Sequence, residues 1–167
     1  MRSILVLTAL LLSLTSNAAP VTWTVDSLLF SDGGSGFGSF DYDASTNLYS
    51  EINITTLRSD DGGFANYQSL LPSVPSNDER LFLVGPGAGG LTGLSFFFSS
   101  GLTNTGGMVT ILSGEEVFCE DYECSQPAGK IRDVVSGSVS AVPVPAAVWL
   151  FGSALAALGW LRAKPAS

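Results

Sequence analysis

Between residues 19 and 141, apolar and polar positions alternate with a period of two over short runs, and turn-forming residues separate the runs. Val21, Trp23 and Val25 share one face, Thr22 and Thr24 the other, and Leu28-Leu29-Phe30 continues to a turn at Ser31-Asp32-Gly33-Gly34. Phe40 and Tyr42 lie on one face of the next run. Asp43-Ala44-Ser45-Thr46-Asn47 then turns the chain, and Leu48 to Thr56 returns with Tyr49, Ile52 and Ile54, which predicts a hairpin. Further strands are predicted at Arg80 to Val84, Leu91 to Phe98, Met108 to Leu112, Glu116 to Phe118 and Ile131 to Val139. Ser69 to Asp78, which holds Pro72 and Pro75, reads as a long loop. No stretch keeps a helical period over three turns. The pattern therefore predicts an all-β fold, a single small β-sandwich or jelly-roll-like domain.

The two ends follow a different pattern. Arg2 precedes an apolar run from Ile4 to Leu14, broken by Thr8 and Ser13, and Ser16-Asn17-Ala18 places small residues before a cut between Ala18 and Ala19. That order is a secretory signal peptide, and the run is too short for a transmembrane helix, which needs roughly 20 apolar residues. Val144 to Leu161 is uncharged over eighteen residues, with Trp149 and Trp160 towards its ends. At about 1.5 Å per residue it forms one C-terminal transmembrane helix of roughly 27 Å. Arg162 and Lys164 follow it and orient the tail to the cytoplasm, leaving the preceding domain outside. The expected organisation is a signal peptide over 1–18, an extracytoplasmic domain over 19–141 and a tail over 142–167.

Charge sharpens this division. All fifteen acids lie between Asp26 and Asp133, against only Arg58, Arg80, Lys130 and Arg132, a balance of −11. Such a surface repels phosphate backbones and argues against nucleic acid as a partner. The chain has no histidine, which removes Ser-His-Asp and Cys-His nucleophile systems and the commonest zinc ligand. No cofactor is expected.

The tail Val142-Pro143-Val144-Pro145-Ala146-Ala147-Val148-Trp149-Leu150-Phe151-Gly152-Ser153-Ala154-Leu155 resembles the PEP-CTERM sorting signal, in the form common among exopolysaccharide-making gammaproteobacteria. The resemblance implies export by the Sec machinery and an inner-membrane-anchored intermediate. It also implies processing near the Pro motif (Val142, Pro143, Val144, Pro145, Ala146) by an exosortase-type membrane protease, with delivery to the cell surface or beyond. Paired prolines suit the role, because they break a helix and leave an extended segment. The basic end here, Arg162-Ala163-Lys164, is shorter than the family's usual cluster. The opening from Trp23 to Asp43 more loosely resembles an N-terminal pattern shared by exported proteins with this tail, and implies a common β domain without a known activity.

Several residues are candidates for chemistry. Cys119 and Cys124 are the only cysteines, and an even count in an exported chain predicts a disulfide. Asp41, Asp43 and Asn47 could offer oxygens to calcium, as could Asp60-Asp61, yet EF-hand spacing is absent and such residues also simply make turns. Gly85, Gly87 and Gly90 fit G-x-G-x-x-G, but a strand rather than a helix is predicted next, so the string reads as a loop. Asn53-Ile54-Thr55 fits a glycosylation acceptor by chance within a strand. Glu115 and Glu116 are adjacent and point to opposite faces of a strand, a poor pair for glycoside hydrolysis. The resulting expectation is a non-enzymatic surface or matrix protein associated with exopolysaccharide or biofilm. The alternative is a carbohydrate-binding module or a carboxylate-only glycan enzyme, with Tyr49, Tyr67 and Tyr122 exposed for stacking on sugars.

Overall fold

In the computed structural model, residues 19–59, 62–125 and 127–141 are described. The expected signal peptide with Ala18, the acidic pair Asp60 and Asp61, the sorting motif at 142–146 and the helix at 144–161 lie outside these residues. Ten strands follow in order: β1 Val21–Phe30, β2 Ser35–Asp43, β3 Leu48–Leu57, β4 Phe64–Tyr67, β5 Ser69–Leu70, β6 Arg80–Gly87, β7 Gly90–Phe98, β8 Gly107–Ser113, β9 Glu115–Cys119 and β10 Pro127–Ala141.

Every pairing between strands is antiparallel, and the ladder closes on itself. The circuit runs β1–β2–β3–β4–β6–β7–β9–β10 and back to β1, an eight-stranded barrel. The all-β expectation holds, whereas the sandwich or jelly roll is corrected to this barrel. The physical reason lies in β10, which extends from Pro127 to Ala141, well beyond the Ile131 to Val139 read from sequence. Its fifteen residues run the length of the wall, and from Val134 to Ser140 they pair with β1 along one side. Along the other they pair first with β9 and then with β8, so one strand joins the two ends of the meander. Closure removes the open edges that a sandwich would keep.

Alternation fills the inside. Val21, Trp23, Val25, Leu28 and Phe30 point inward from β1, with the phase reset by a bulge after Val25. Tyr49, Ile52 and Ile54 share the inward face of β3 for a similar reason: Glu51 has φ 47° beside a register shift against β2. Trp23, Phe30, Phe40, Tyr42, Tyr67 and Phe96 are almost fully buried. An eight-stranded barrel is just wide enough for side chains of this size to fill it. β4 and β5 fall where the sequence showed no strong alternation, and β5 begins the segment read as a long loop.

Candidate functional site

The up-and-down order gives the barrel two distinct ends. One carries the β1–β2 turn, the β6–β7 turn and the loop after Cys119; the other carries the β2–β3 turn, the segment 99–106, and the points where the chain enters at Val21 and leaves at Ala141. Towards the first end lies a polar cluster that the sequence reading missed.

Glu116 alternates with the outward Glu115 and Val117, so it points into the barrel, and its cross-strand partner is Arg132 of β10. Glu116 is 1% exposed and Arg132 is 3% exposed. Arg132 Nε donates to Glu116 Oε2 at 2.6 Å. Glu116 Oε1 accepts from the Thr56 and Tyr67 hydroxyls, each at 2.6 Å. The guanidinium also donates to Asp32 at 3.0 and 3.3 Å and to the Leu57 carbonyl at 2.8 Å, and its carbon stands 3.8 Å from the Phe30 ring centre. Five strands and the β1–β2 turn are tied together at one point. Burial pushes the Tyr67 hydroxyl above its ordinary range, and the neighbouring Glu116 carboxylate adds to this, so it remains a donor. For Asp32, burial works to raise the carboxyl, but the Gly34 and Ser59 amides and Arg132 together hold it below the usual range. Both Glu116 oxygens are engaged and almost unexposed, so this carboxylate ties the strands together from inside, while Asp32 keeps partial exposure at the rim of the cluster. A weak signal for it existed, since Arg132 occupies the same strand phase as the buried Val134.

The calcium candidates sit at and near the other end, where protein donors engage their oxygens. Asp41 accepts from Thr22 at 2.6 Å. Asp43 Oδ1 accepts from the Ser45 amide and hydroxyl and from Asn104, at 2.9, 2.7 and 3.0 Å. The Asn104 amide, followed by the Ser45 donors, holds the Asp43 carboxyl far below the ordinary range. Asn47 accepts the Tyr42 hydroxyl at 2.7 Å, and Tyr42 is pushed up to about 12, chiefly by burial and then by the charges of Asp78 and Asp43. Asp43 is thus placed to pin the 99–106 segment. Among the described residues, no group of three or more His, Cys, Asp or Glu side chains is arranged to hold a metal ion.

Cys119 and Cys124 form the expected disulfide. It packs on the outer wall against Gly93, where an added Cβ would stand 3.1 Å from the Cys119 sulfur and 3.4 Å from that of Cys124. Beside it lies an outward-facing apolar groove of about 190 Å³, lined by Leu71, Val74, Phe82, Phe97, Val117 and Pro127 among others. The Ser73 hydroxyl donates to the Glu123 carbonyl and fastens the 71–79 segment to the cystine loop. Glu115 lies at the rim with Lys130 3.8 Å away.

Gly85, Gly87 and Gly90 lie on either side of the β6–β7 hairpin, and a strand follows them. Gly85 has its own reason: a Cβ there would fall 2.0 Å from the Asn66 carbonyl oxygen, so its bareness lets β4 approach β6. Asn53-Ile54-Thr55 lies within β3, with Ile54 fully buried. The expectation of exposed tyrosines is corrected for two of three. Tyr49 is buried with its hydroxyl on the Asn77 carbonyl, and Tyr67 is buried on Glu116, because both stand on inward phases of their strands. Tyr122 is exposed.

Fold and site together define a closed antiparallel barrel with a filled interior and a buried ionic tie. Comparison with protein-family models, with curated proteins and with solved structures returned no match.

Proposed function

We propose that this chain is an exported cell-surface or extracellular-matrix protein, non-enzymatic, sorted through a PEP-CTERM/exosortase-type signal and associated with exopolysaccharide or biofilm. The observation that carries the reading is the order of the tail: a Pro-containing motif at 142–146, an uncharged run from Val144 to Leu161, then Arg162 and Lys164. Two features of the barrel support it. A disulfide suits an oxidising compartment, where such bonds persist. A ring of strands without long open edges resists edge-to-edge aggregation, which suits a protein displayed at high local density. The filled interior directs any recognition of polysaccharide to the outer wall.

The test is intact mass and fractionation of the native protein from cells with and without the exosortase. A mature species that begins at Ala19 and ends near Pro143–Pro145, and that depends on the protease, is the expected result. A species retaining Trp160 and Ser167 in both strains overturns sorting and leaves a plain membrane-anchored protein. A glycan array with the barrel, followed by reducing-sugar release, separates the structural role from glycan binding or hydrolysis.

A further inference from the structure

The barrel remains paired to its last described residue. Ala141 faces Gly107 of β8, Ser140 faces Met108, and on the other side Ser140 faces Thr24 of β1. The span proposed to cross the membrane begins at Val144, directly after Pro143. Only three Cα-to-Cα steps separate Ala141 from Val144, at most about 11 Å even when fully extended. The polar headgroup layer on each side of a bilayer is itself roughly 5–8 Å thick. A tether this short leaves little room for water between the barrel and the membrane.

The end so held is the one where Val21 enters and Ala141 leaves, with the β2–β3 turn and the 99–106 segment beside them. Its composition differs from that of the opposite end. Leu48 opens β3 and Met108 stands near the start of β8; both point outward, 63% and 75% exposed. The turn between β2 and β3 presents Ala44, Ser45 and Thr46, all uncharged and exposed. Asp43 at this end is engaged by Ser45 and Asn104, while Asp78 and Glu79 remain exposed. The exposed acids of the cystine loop, Glu120, Asp121 and Glu123, lie at the other end.

We infer that this barrel end is a membrane-facing surface, with Leu48 and Met108 entering the interfacial layer of a zwitterionic lipid bilayer while the acidic cystine loop points away. Lone apolar side chains on a surface need no explanation by themselves. Here their position coincides with the end to which the tether is fixed. The inference rests on the proposed reading that the tail spans the membrane. The acids at this end, Asp41, Asp43, Asp78 and Glu79, favour zwitterionic over anionic lipid, since anionic headgroups would repel them.

The experiment uses the full chain reconstituted in phosphatidylcholine vesicles. Single cysteines are introduced as Leu48→Cys, Met108→Cys or, at the opposite end, Ala88→Cys. Each is labelled with a fluorophore after the native disulfide has formed, and brominated phosphatidylcholine serves as quencher. All three positions are exposed, so the variants keep the fold. Alkaline extraction first reports, independently, whether the tail is inserted. With the tail inserted, loss of emission at 48 and 108 but not at 88 is the expected result. A flexible Gly/Ser insert after Ala141 should then restore emission at both positions. An inserted tail with equal emission at all three sites overturns the membrane-facing surface and leaves the proposed function standing. Persistent quenching after the insert overturns the tether as its cause. A chain released by alkali overturns both the anchoring and the inference.

Discussion

Replacing Arg132 by methionine retains most of the side-chain volume and removes the only cation that touches Glu116 in the described interior. The Glu116 carboxylate would keep Thr56 and Tyr67 on one oxygen, while its other oxygen and the Leu57 carbonyl would lose their guanidinium donors. Asp32 would keep the Gly34 amide at 3.0 Å and the Ser59 amide at 3.3 Å. Removing one partner of a buried ion pair costs about 3–5 kcal/mol, most of it from the charge left behind. For a domain of this size each kcal/mol moves the thermal midpoint by roughly 3–4 °C, so a fall of about 10–20 °C is expected. Glu116→Gln alone leaves Arg132 on Asp32 and Leu57 and should cost about 1–3 kcal/mol. The double variant removes both charges, so it should be less destabilised than the two single losses added together. Urea and thermal unfolding of the four proteins, with the disulfide intact, supply the cycle. A loss below about 1 kcal/mol for Arg132→Met, or strict additivity, would refute the claim that the pair is desolvated together.

Gly85→Ala forces a Cβ against the Asn66 carbonyl and should cost about 1–3 kcal/mol, read from a urea midpoint, with the loss concentrated in amide protection of β4 and β6. An unchanged midpoint would show that the two strands can separate at no cost. Replacing Cys119 and Cys124 by serine opens a loop of six residues counting both ends, worth about 2 kcal/mol on chain entropy. The barrel should survive with a lowered midpoint, and complete unfolding at room temperature would contradict that. Tyr42, Tyr49 and Tyr67 are all raised, by burial first, so the unfolded chain loses these phenolic protons before the folded one does. Their contribution to stability is therefore full below about pH 10 and is lost as pH climbs beyond it. Asp32 and Asp43 are lowered, so theirs is present above about pH 4 and is lost as pH falls further. Denaturation midpoints across pH, with phenol ionisation followed by ultraviolet absorbance, should show both declines; ionisation of Tyr42, Tyr49 and Tyr67 well before alkaline unfolding would contradict the burial of these rings.

The residues themselves determined much of this protein. Alternation around Val21-Trp23-Val25, Phe40-Tyr42 and Leu91 to Phe98 specified strands, because a pleated strand exposes one face and buries the other. Two cysteines, an even count with no third partner to choose from, were enough to predict their pairing. Closure was not legible. Period-two patterns state which side of a strand is inward and are silent on which strand lies next to it, so a barrel and a sandwich look alike along the chain. Only the tertiary structure brought β10 against both β1 and β9 and closed the ring. The same limit hid the polar cluster, since Asp32 and Arg132 are a hundred residues apart and meet only when the ring is formed. It also explains the tyrosines. Tyr49 and Tyr67 are amphipathic residues that suit a surface or a core equally well, and their phase became clear only with the bulge at Glu51 and the partner carboxylate of Glu116 in place. Sequence fixes the local choice of face and turn; the non-local meeting of strands decides which polar groups are buried together.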